Sequence, residues 1–380
     1  VRGVTTTGST ILPNGEIVPK GLLVWRSFTH WIGCMGVLVF VLARRPTLNG
    51  SAVQLLRAES PGPVPGKVVP KIRESAKILY KIYLIMSITQ VILLLASGLP
   101  LYDSLITTMG SAGTGGFSNL NLSVGGYNNV AAEVITTIFM LLFGVNFNIY
   151  YYMTSKQLGL IKSNEELKLY IFIAFASMLL IAGNIMPMYG GSFIQALRYS
   201  SFQVSSIMTT TGFATTDFHL WPMFSKSILM LLMIIGASAG STGGGIKVSR
   251  LLILFKAIRR EIGLIIHPRR IQTVKLENEI LDDRVLTSVL VFLSTYALIA
   301  LAATFLVATD GYDFETTATA VLSALGNIGP GFSLVGPMGN FSVFTGFSKL
   351  VLSFCMLAGR LEIFPMLLLF SPSVWRKKAV

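Results

Sequence analysis

The sequence predicts an all-α polytopic membrane protein built from four quasi-equivalent units. Three observations predict it. The 380-residue chain is 52% hydrophobic with a mean hydropathy of +0.68 and only 12% charged residues, and runs near 20 apolar residues recur, which suits hydrocarbon rather than water. Short Thr/Gly-rich loops recur in the same order relative to the apolar runs. One apolar run is interrupted by Gly236-Ala-Ser-Ala-Gly-Ser-Thr-Gly-Gly-Gly245, with five glycines in ten residues. Each glycine costs a helix roughly 1 kcal/mol relative to alanine, so this stretch predicts local unwinding. Unwound backbone at membrane depth needs protein around it or a wet cavity beside it.

In order, the chain opens on the polar loop Val4-Thr-Thr-Thr-Gly-Ser-Thr10. A span follows from Gly21 to Ala43, with Trp25 and Trp31 as an aromatic anchor and Arg44-Arg45 at its exit. Residues 46–77 form a basic loop stiffened by Pro61-Gly-Pro-Val-Pro65. Ile78 to Gly98 spans. Leu101 to Ala112 is too short to cross ~30 Å of hydrocarbon and reads as a re-entrant half-helix. Its loop is Gly113-Thr-Gly-Gly-Phe-Ser118, and Ala131 to Thr154 spans back. The order repeats: Leu169 to Met186 spans, Phe193 to Met208 is a half-helix, and Thr209-Thr-Thr-Gly-Phe-Ala-Thr215 is its loop. Phe224 to Ile265 is the broken helix. Leu286 to Ala308 spans, Phe314 to Gly326 is the next half-helix, Asn327-Ile-Gly-Pro-Gly-Phe-Ser333 its loop, and Phe347 to Phe370 the last span.

Lining up the loops places Gly8, Gly116, Gly212 and Gly331 in equivalent positions, 108, 96 and 119 residues apart. The period is irregular but the order holds, and Phe224-Ser-Lys226 and Phe347-Ser-Lys349 also match. The units are residues 1–45, the end of repeat one; 46–168, repeat two with the loop ahead of it; 169–284, repeat three with its broken second span; and 285–380, repeat four with a tail. The chain starts at Val1 within repeat one, so further chain ahead of it is expected. Repeats in a membrane protein put the working site at their shared interface.

Charge sets the orientation. Of the 30 Lys and Arg residues, 23 fall in 44–81, 156–168, 247–284 and 376–378 with nine acids, leaving seven bases and eight acids elsewhere. That is the positive-inside pattern, with these segments cytoplasmic, and it argues against a nucleic-acid surface despite a formal charge of +13. Cys34 and Cys355 lie in apolar runs and give no disulfide framework. His30, His219 and His267 are scattered without metal-ligand spacing and are expected at surfaces or interfaces. No covalently bound cofactor is expected.

Four loops on one side of a membrane can converge on one axis. A permeating cation must shed its water, and inward-pointing carbonyls can replace it. Glycine permits the φ angles such loops need, and threonine adds a hydroxyl as ligand or clamp. The half-helices point their partly negative C-terminal ends at the axis. Carbonyl and hydroxyl oxygens suit a hard monovalent ion such as K⁺ or Na⁺. The expected filter residues are Thr6, Thr7, Gly8, Thr114, Gly115, Gly116, Thr210, Thr211, Gly212, Asn327, Ile328, Gly329 and Gly331. The fold class is therefore pseudo-fourfold repeats of span, re-entrant pore helix, filter loop and span around one central ion pore.

With Thr5-Thr-Thr-Gly8, Thr114-Gly-Gly-Phe117, Thr209-Thr-Thr-Gly-Phe213 and Asn327-Ile-Gly-Pro-Gly331, the chain resembles the Trk/Ktr/HKT superfamily of cation transporters, and most the bacterial Trk-type potassium uptake subunit. The resemblance covers nearly the whole chain. It implies one selectivity glycine per loop, at Gly8, Gly116, Gly212 and Gly331. It also implies K⁺ as the transported ion, with Na⁺ and Rb⁺ as other candidate cargoes. A serine in the first loop of some plant members accompanies Na⁺ preference; Gly8 stands there instead and favours K⁺. The resemblance implies a homodimer in the cytoplasmic (inner) membrane with a cytosolic nucleotide-binding regulatory subunit. It also implies a first span and half-helix ahead of residue 1, without which this length alone does not enclose a pore.

A gate is expected beneath the filter. Gly236 lies ten residues after Lys226 and Arg360 eleven after Lys349, which puts them ~15 and ~16 Å deep at 1.5 Å per helical residue. The gate residues are Gly236, Gly240, Ser241, Thr242, Gly243, Gly244, Gly245 and Arg360. A midplane arginine costs at least ~2.5 kcal/mol without a partner. Either its guanidinium faces the pore and bonds loop carbonyls, or it pairs with Glu362 or Glu133, or it snorkels. The resemblance agrees with the first, implying a flexible intramembrane loop and a pore arginine at these positions. Gly240-Ser-Thr-Gly-Gly-Gly-Ile-Lys247 is not a phosphate loop, lacking the Gly-Lys-Ser/Thr ending and a preceding strand. The alternative function is a Na⁺- or H⁺-coupled carrier, whose embedded acid is expected at Glu133. An intramembrane enzyme is excluded by the lack of a dyad at midplane.

Overall fold

The computed structural model describes residues 1–12, 15–35, 72–269, 272–277 and 279–368. The expected exit at Arg44-Arg45, most of the basic loop 46–77 and the basic tail 376–378 lie outside the described residues. The helices are α1 (Lys20–Met35), α2 (Ile72–Ala96), α3 (Leu101–Ala112), α4 (Val130–Phe143), α5 (Phe147–Thr154), α6 (Leu158–Ser163), α7 (Glu165–Ile185) and α8 (Phe193–Met208). They continue with α9 (Met223–Ile235), α10 (Val248–Ile266), α11 (Asp283–Val307), α12 (Phe314–Gly326), α13 (Gly346–Arg360) and α14 (Ile363–Leu368). A two-residue antiparallel ribbon, β1 (Lys275–Leu276) with β2 (Glu279–Ile280), is a small departure from the all-α expectation.

Three described stretches are long and apolar enough to cross a membrane: Lys77–Ala96, Glu165–Tyr189 and Asp283–Asp310. Phe172, Phe175, Leu298, Leu301 and Phe305 are more than half exposed on them, as lipid-facing residues should be. Of the expected anchor, Trp25 is 62% exposed, whereas Trp31 turns inward to donate to Ser87 Oγ at 3.2 Å.

Two expected spans are broken. Ala131–Thr154 bends by 89° between α4 and α5. Gly144 caps α4, and Asn146 caps α5 by accepting the Asn148 N–H at 3.0 Å. The last span, expected from Phe347 to Phe370, stops at Arg360; Glu362, at φ 55°, turns the chain before α14. The glycine-rich break between α9 and α10 falls where the sequence puts it.

The half-helices are bounded by sequence. Pro100 precedes α3, which ends at Gly113; Ser192 caps α8; Asp313 accepts the Thr316 N–H at 3.0 Å to start α12, and Asn327 at φ 56° ends it. At 12 residues α3 is about 18 Å long, well short of a bilayer core. Each packs against both helices of its own unit and one of the preceding unit: α3 on α2, α4 and α1; α8 on α7, α9 and α4; α12 on α11, α13 and α9. Their C-terminal halves are buried, so each delivers a loop to the interior.

Candidate functional site

The four loops share one backbone pattern. Thr6, Thr114, Thr210 and Asn327 lie in the left-handed region, at φ 55°, 45°, 59° and 56°. Two residues later comes a glycine at positive φ: Gly8 at 74°, Gly116 at 63°, Gly212 at 81° and Gly329 at 115°. Between them, Thr7, Gly115, Thr211 and Ile328 donate their N–H to the carbonyls of Arg2, Gly110, Ser206 and Ser323 at 3.2, 2.9, 2.8 and 2.9 Å. Left-handed geometry costs a non-glycine residue roughly 1–2 kcal/mol. Its recurrence at equivalent positions means the surrounding contacts impose it.

This pattern corrects the alignment of loop four: Gly329, not Gly331, is equivalent to Gly8, Gly116 and Gly212. Gly331 sits in the return of the loop, donating to the Val335 carbonyl at 2.7 Å. Pro330 separates the two glycines and carries the Gly-Phe pair two residues along the chain.

The loops abut in cyclic order. A Cβ on Gly8 would fall 2.1 Å from the Gly115 carbonyl oxygen, one on Gly116 2.1 Å from that of Thr211, and one on Gly212 2.1 Å from that of Ile328. On Gly329 it would fall 2.9 Å from the Thr7 carbonyl oxygen, which returns to loop one. The four loops therefore touch one another in a closed cycle, and the glycines' missing side chains are what lets the backbones approach. A polar cavity of about 150 Å³ opens on one side, bounded by Gly8, Gly116, Gly212, Gly329, Arg26 and Asn340.

Hydroxyls lock this geometry. Thr5 and Thr7 Oγ1 lie 2.9 Å apart, and Thr209 and Thr211 Oγ1 2.8 Å apart. Asn327 Nδ2 donates to Thr7 Oγ1 at 2.8 Å, and Ser323 Oγ to the Gly329 carbonyl at 2.8 Å. These hydroxyls serve as clamps. Among the described residues no three of His, Cys, Asp and Glu gather as a metal centre; the oxygens these loops carry are backbone carbonyls, hydroxyls and the buried Asn327 carboxamide.

His30 lies at an internal interface and not at the surface. It is fully buried, stacked on Phe117 with centroids 3.9 Å apart, and a Cβ on Gly115 would fall 2.0 Å from its Nδ1. Arg26 also lies over the Phe117 ring, at 3.8 Å from its centroid. Residues Arg26 and His30, one turn apart on α1, thus seat loop two, although an isolated histidine in an apolar run carries no such signal. His219 accepts the Ser333 N–H at 3.1 Å beside loop four, and His267 is exposed at the end of α10.

Beneath the ring lies the glycine-rich segment. Gly236, Gly240 and Gly245 all have positive φ. Thr242 touches two units, its carbonyl accepting from Thr114 Oγ1 at 2.9 Å and from Arg360 at 3.4 Å. Gly244 donates to Thr210 Oγ1 at 2.6 Å, and a Cβ there would fall 2.3 Å from the Gly326 carbonyl oxygen. A Cβ on Gly243 would fall 2.8 Å from the Thr209 carbonyl oxygen. The segment thus reaches loops two, three and four from one side. It also fills the α4–α5 break: Ser238 and Thr242 donate to the carbonyls of Gly144 and Phe143 at 3.1 and 3.3 Å, and Phe147 donates to that of Gly240 at 3.1 Å. This explains the broken span, since backbone groups freed inside an apolar, buried stretch need partners. Ser241 folds back within the segment, its Oγ donating to the Ser238 carbonyl at 2.6 Å.

Arg360 joins the segment to α1. Its Nη2 donates to the Gly33 and Cys34 carbonyls at 2.6 and 2.8 Å, near the partly negative C-terminal end of that helix. Neither alternative acid partner is available: Glu362 pairs with Arg250, and Glu133 binds Arg198 through two bonds of 2.6 and 2.7 Å. Glu133 joins α4 to α8 and is not a free embedded acid. Removing it leaves Arg198 unpaired at the edge of the core, at a cost of about 3 kcal/mol. We expect Glu133→Ala to lower the melting temperature of the purified protein, measured by thermal shift in detergent; unchanged melting would contradict the clamp.

Two groups escaped the sequence. Lys247, 2% exposed and at φ 85°, donates to the Gly243 carbonyl. Glu166, 6% exposed in the first turn of α7, accepts from the Ala239 and Ser249 backbones.

Comparison with known proteins gives one family. A family model described as "TrkH: Cation transport protein" matches residues 1–194 and 190–377. The Trk system potassium uptake protein TrkH of Salmonella typhimurium is 35% identical over 382 residues, covering 99% of this chain and 78% of that protein. The protein of the same name from Vibrio parahaemolyticus is 36% identical, covering 98% and 78%. A crystal structure of the potassium transporter TrkH from Vibrio parahaemolyticus superposes with a TM-score of 0.86 at 33% identity, covering 99% of this chain and 77% of that one.

Proposed function

This chain belongs to the TrkH family of cation transport proteins, a family of transporters and not enzymes, and on that footing we propose that it takes up potassium through the ring of four loops. The observation that carries this reading is the cyclic contact of Gly8, Gly116, Gly212 and Gly329 with the carbonyls of the neighbouring loops. Carbonyls of Thr7, Gly115, Thr211 and Ile328 at one axis supply neutral oxygens that exchange for the ion's water. The ring has no carboxylate, which favours a monovalent ion that must also leave. Gly8 keeps the first loop free of a side chain and supports K⁺ over Na⁺. The structure is read as four units around one pore in the cytoplasmic membrane, basic segments inside.

Gating is assigned to residues 236–245 with Arg360. The segment lies across the exit of the ring, and the guanidinium beside it presents a positive charge to any cation leaving. We expect Arg360→Ala to raise conductance several-fold, since it removes the Coulomb repulsion that the guanidinium exerts on a cation leaving the ring. A fall in flux with the protein intact would contradict this role.

A homodimer and a cytosolic nucleotide-binding regulatory subunit complete the proposal. The exposed apolar residues Phe255, Ile258, Ile262 and Ile265 on the basic α10 are the surface offered for such contacts. The alternative, a Na⁺- or H⁺-coupled carrier, loses support because Glu133 is held by Arg198. Rubidium uptake into liposomes at varied pH and Na⁺ separates the two. Conduction predicts uptake that follows the Rb⁺ gradient alone; a Na⁺ or proton requirement would favour the carrier.

A further inference from the structure

We propose that Glu166 is the positioning residue that latches the glycine-rich segment beneath the ring, an inference that rests on the reading of that segment as a gate. A single oxygen, Oε1, accepts the Ala239 N–H at 2.6 Å and the Ser249 N–H at 3.1 Å. Ala239 lies within the segment and Ser249 in the first turn of α10, so one carboxylate ties the segment to the helix that follows it. Both donors need it. The Ser249 N–H is among the first-turn groups of a helix that have no partner within the helix, and Ala239 is buried. A carboxylate beside a helix N-terminus is also favoured by the helix dipole. The carboxylate is nearly enclosed, with Asn146 of the α4–α5 break alongside, so water cannot substitute for it cheaply.

The latch has a place to be pulled from. Glu165, next to it, pairs with Lys256 of α10, and Asp283 of α11 accepts from Arg260 at 2.9 Å. Moving α10 relative to α7 strains the Ser249 bond first and then frees the segment at Ala239. Glu166 touches neither the ring nor the ion path. Its effect is on how often the segment lies across the exit.

The test is Rb⁺ flux of the full chain in liposomes, per folded protein, in wild type and in a form lacking residues 236–245. Glu166→Ala should raise flux at least about tenfold in the wild-type background, because two hydrogen bonds are lost from the closed state alone. Glu166→Gln, which keeps a carbonyl oxygen for both donors, should stay near wild type. In the loop-deleted background Glu166→Ala should change nothing. Should Glu166→Ala not fold, Ser249→Pro removes one donor at a first-turn position where proline is tolerated, and should raise flux part of the way. Wild-type flux in folded Glu166→Ala, or an equal rise in both backgrounds, overturns the latch. If the deletion alone leaves flux unchanged, the gate reading fails and the latch with it; if the deletion raises flux but the Glu166 variants do not, only the latch fails.

Discussion

Excision of Gly236–Gly245 is expected to raise K⁺ or Rb⁺ flux at least roughly tenfold, as removal of a predominantly closed state requires. The ends of the excised segment already meet. Ile246 donates to the Ile234 carbonyl at 3.2 Å and Lys247 to that of Ile235 at 2.9 Å, so the segment is a side excursion whose removal leaves α9 and α10 adjacent. What is lost is contact with the ring: Thr242 under loop two, Gly243 and Gly244 under loops three and four, and the Thr242 carbonyl that holds Arg360. The excision also strips partners from the carbonyls of Phe143 and Gly144, which water entering the widened path can satisfy. Flux in liposomes, normalised to folded protein, is the measurement. An unchanged rate would mean that the segment does not limit conduction.

Gly212→Ala is expected to abolish selective uptake while leaving the protein folded. The new methyl would sit 2.1 Å from the Ile328 carbonyl oxygen, a backbone atom that cannot step aside without deforming loop four. The residue would also have to hold φ at 81°, at about 1–2 kcal/mol. Both strains are relieved by turning or displacing the Ile328 carbonyl, one of the four proposed to bind the ion. Rb⁺ uptake should drop at least about tenfold, given 1.4 kcal/mol per decade, and the remainder should discriminate poorly against Na⁺. Gly331→Ala tests the corrected alignment. Gly331 lies outside the positive-φ pattern, and a Cβ there meets the Thr319 hydroxyl, so its effect on selectivity should be much smaller. Equal loss of discrimination in both variants would restore Gly331 to the ring.

Much of this was legible because half-helices carry hard boundaries. Pro100 and Gly113 delimit α3, and Ser192 and Asp313 are ordinary helix starters. The Thr/Gly composition of the loops reports their backbone demands directly, since few residues tolerate two positive φ angles within three positions. Proximity brought by other units was not legible. Gly144-Val-Asn146 is a weak breaker inside an apolar run, and it breaks because the 236–245 segment supplies the freed carbonyls with donors. The register of loop four was hidden by Pro330, which moves the Gly-Phe pair without moving the glycine of the shared positive-φ pattern. His30 and Glu166 gave no periodic signal, because each is defined by backbone from a unit distant in sequence.

On the proposed reading one dehydrated ion sits among the carbonyls of Thr7, Gly115, Thr211 and Ile328. Anomalous diffraction from crystals grown in Rb⁺ would locate it. A peak is expected within coordinating distance of all four oxygens, lost when Na⁺ replaces Rb⁺. A strong peak elsewhere in the protein, with that position empty, would contradict it.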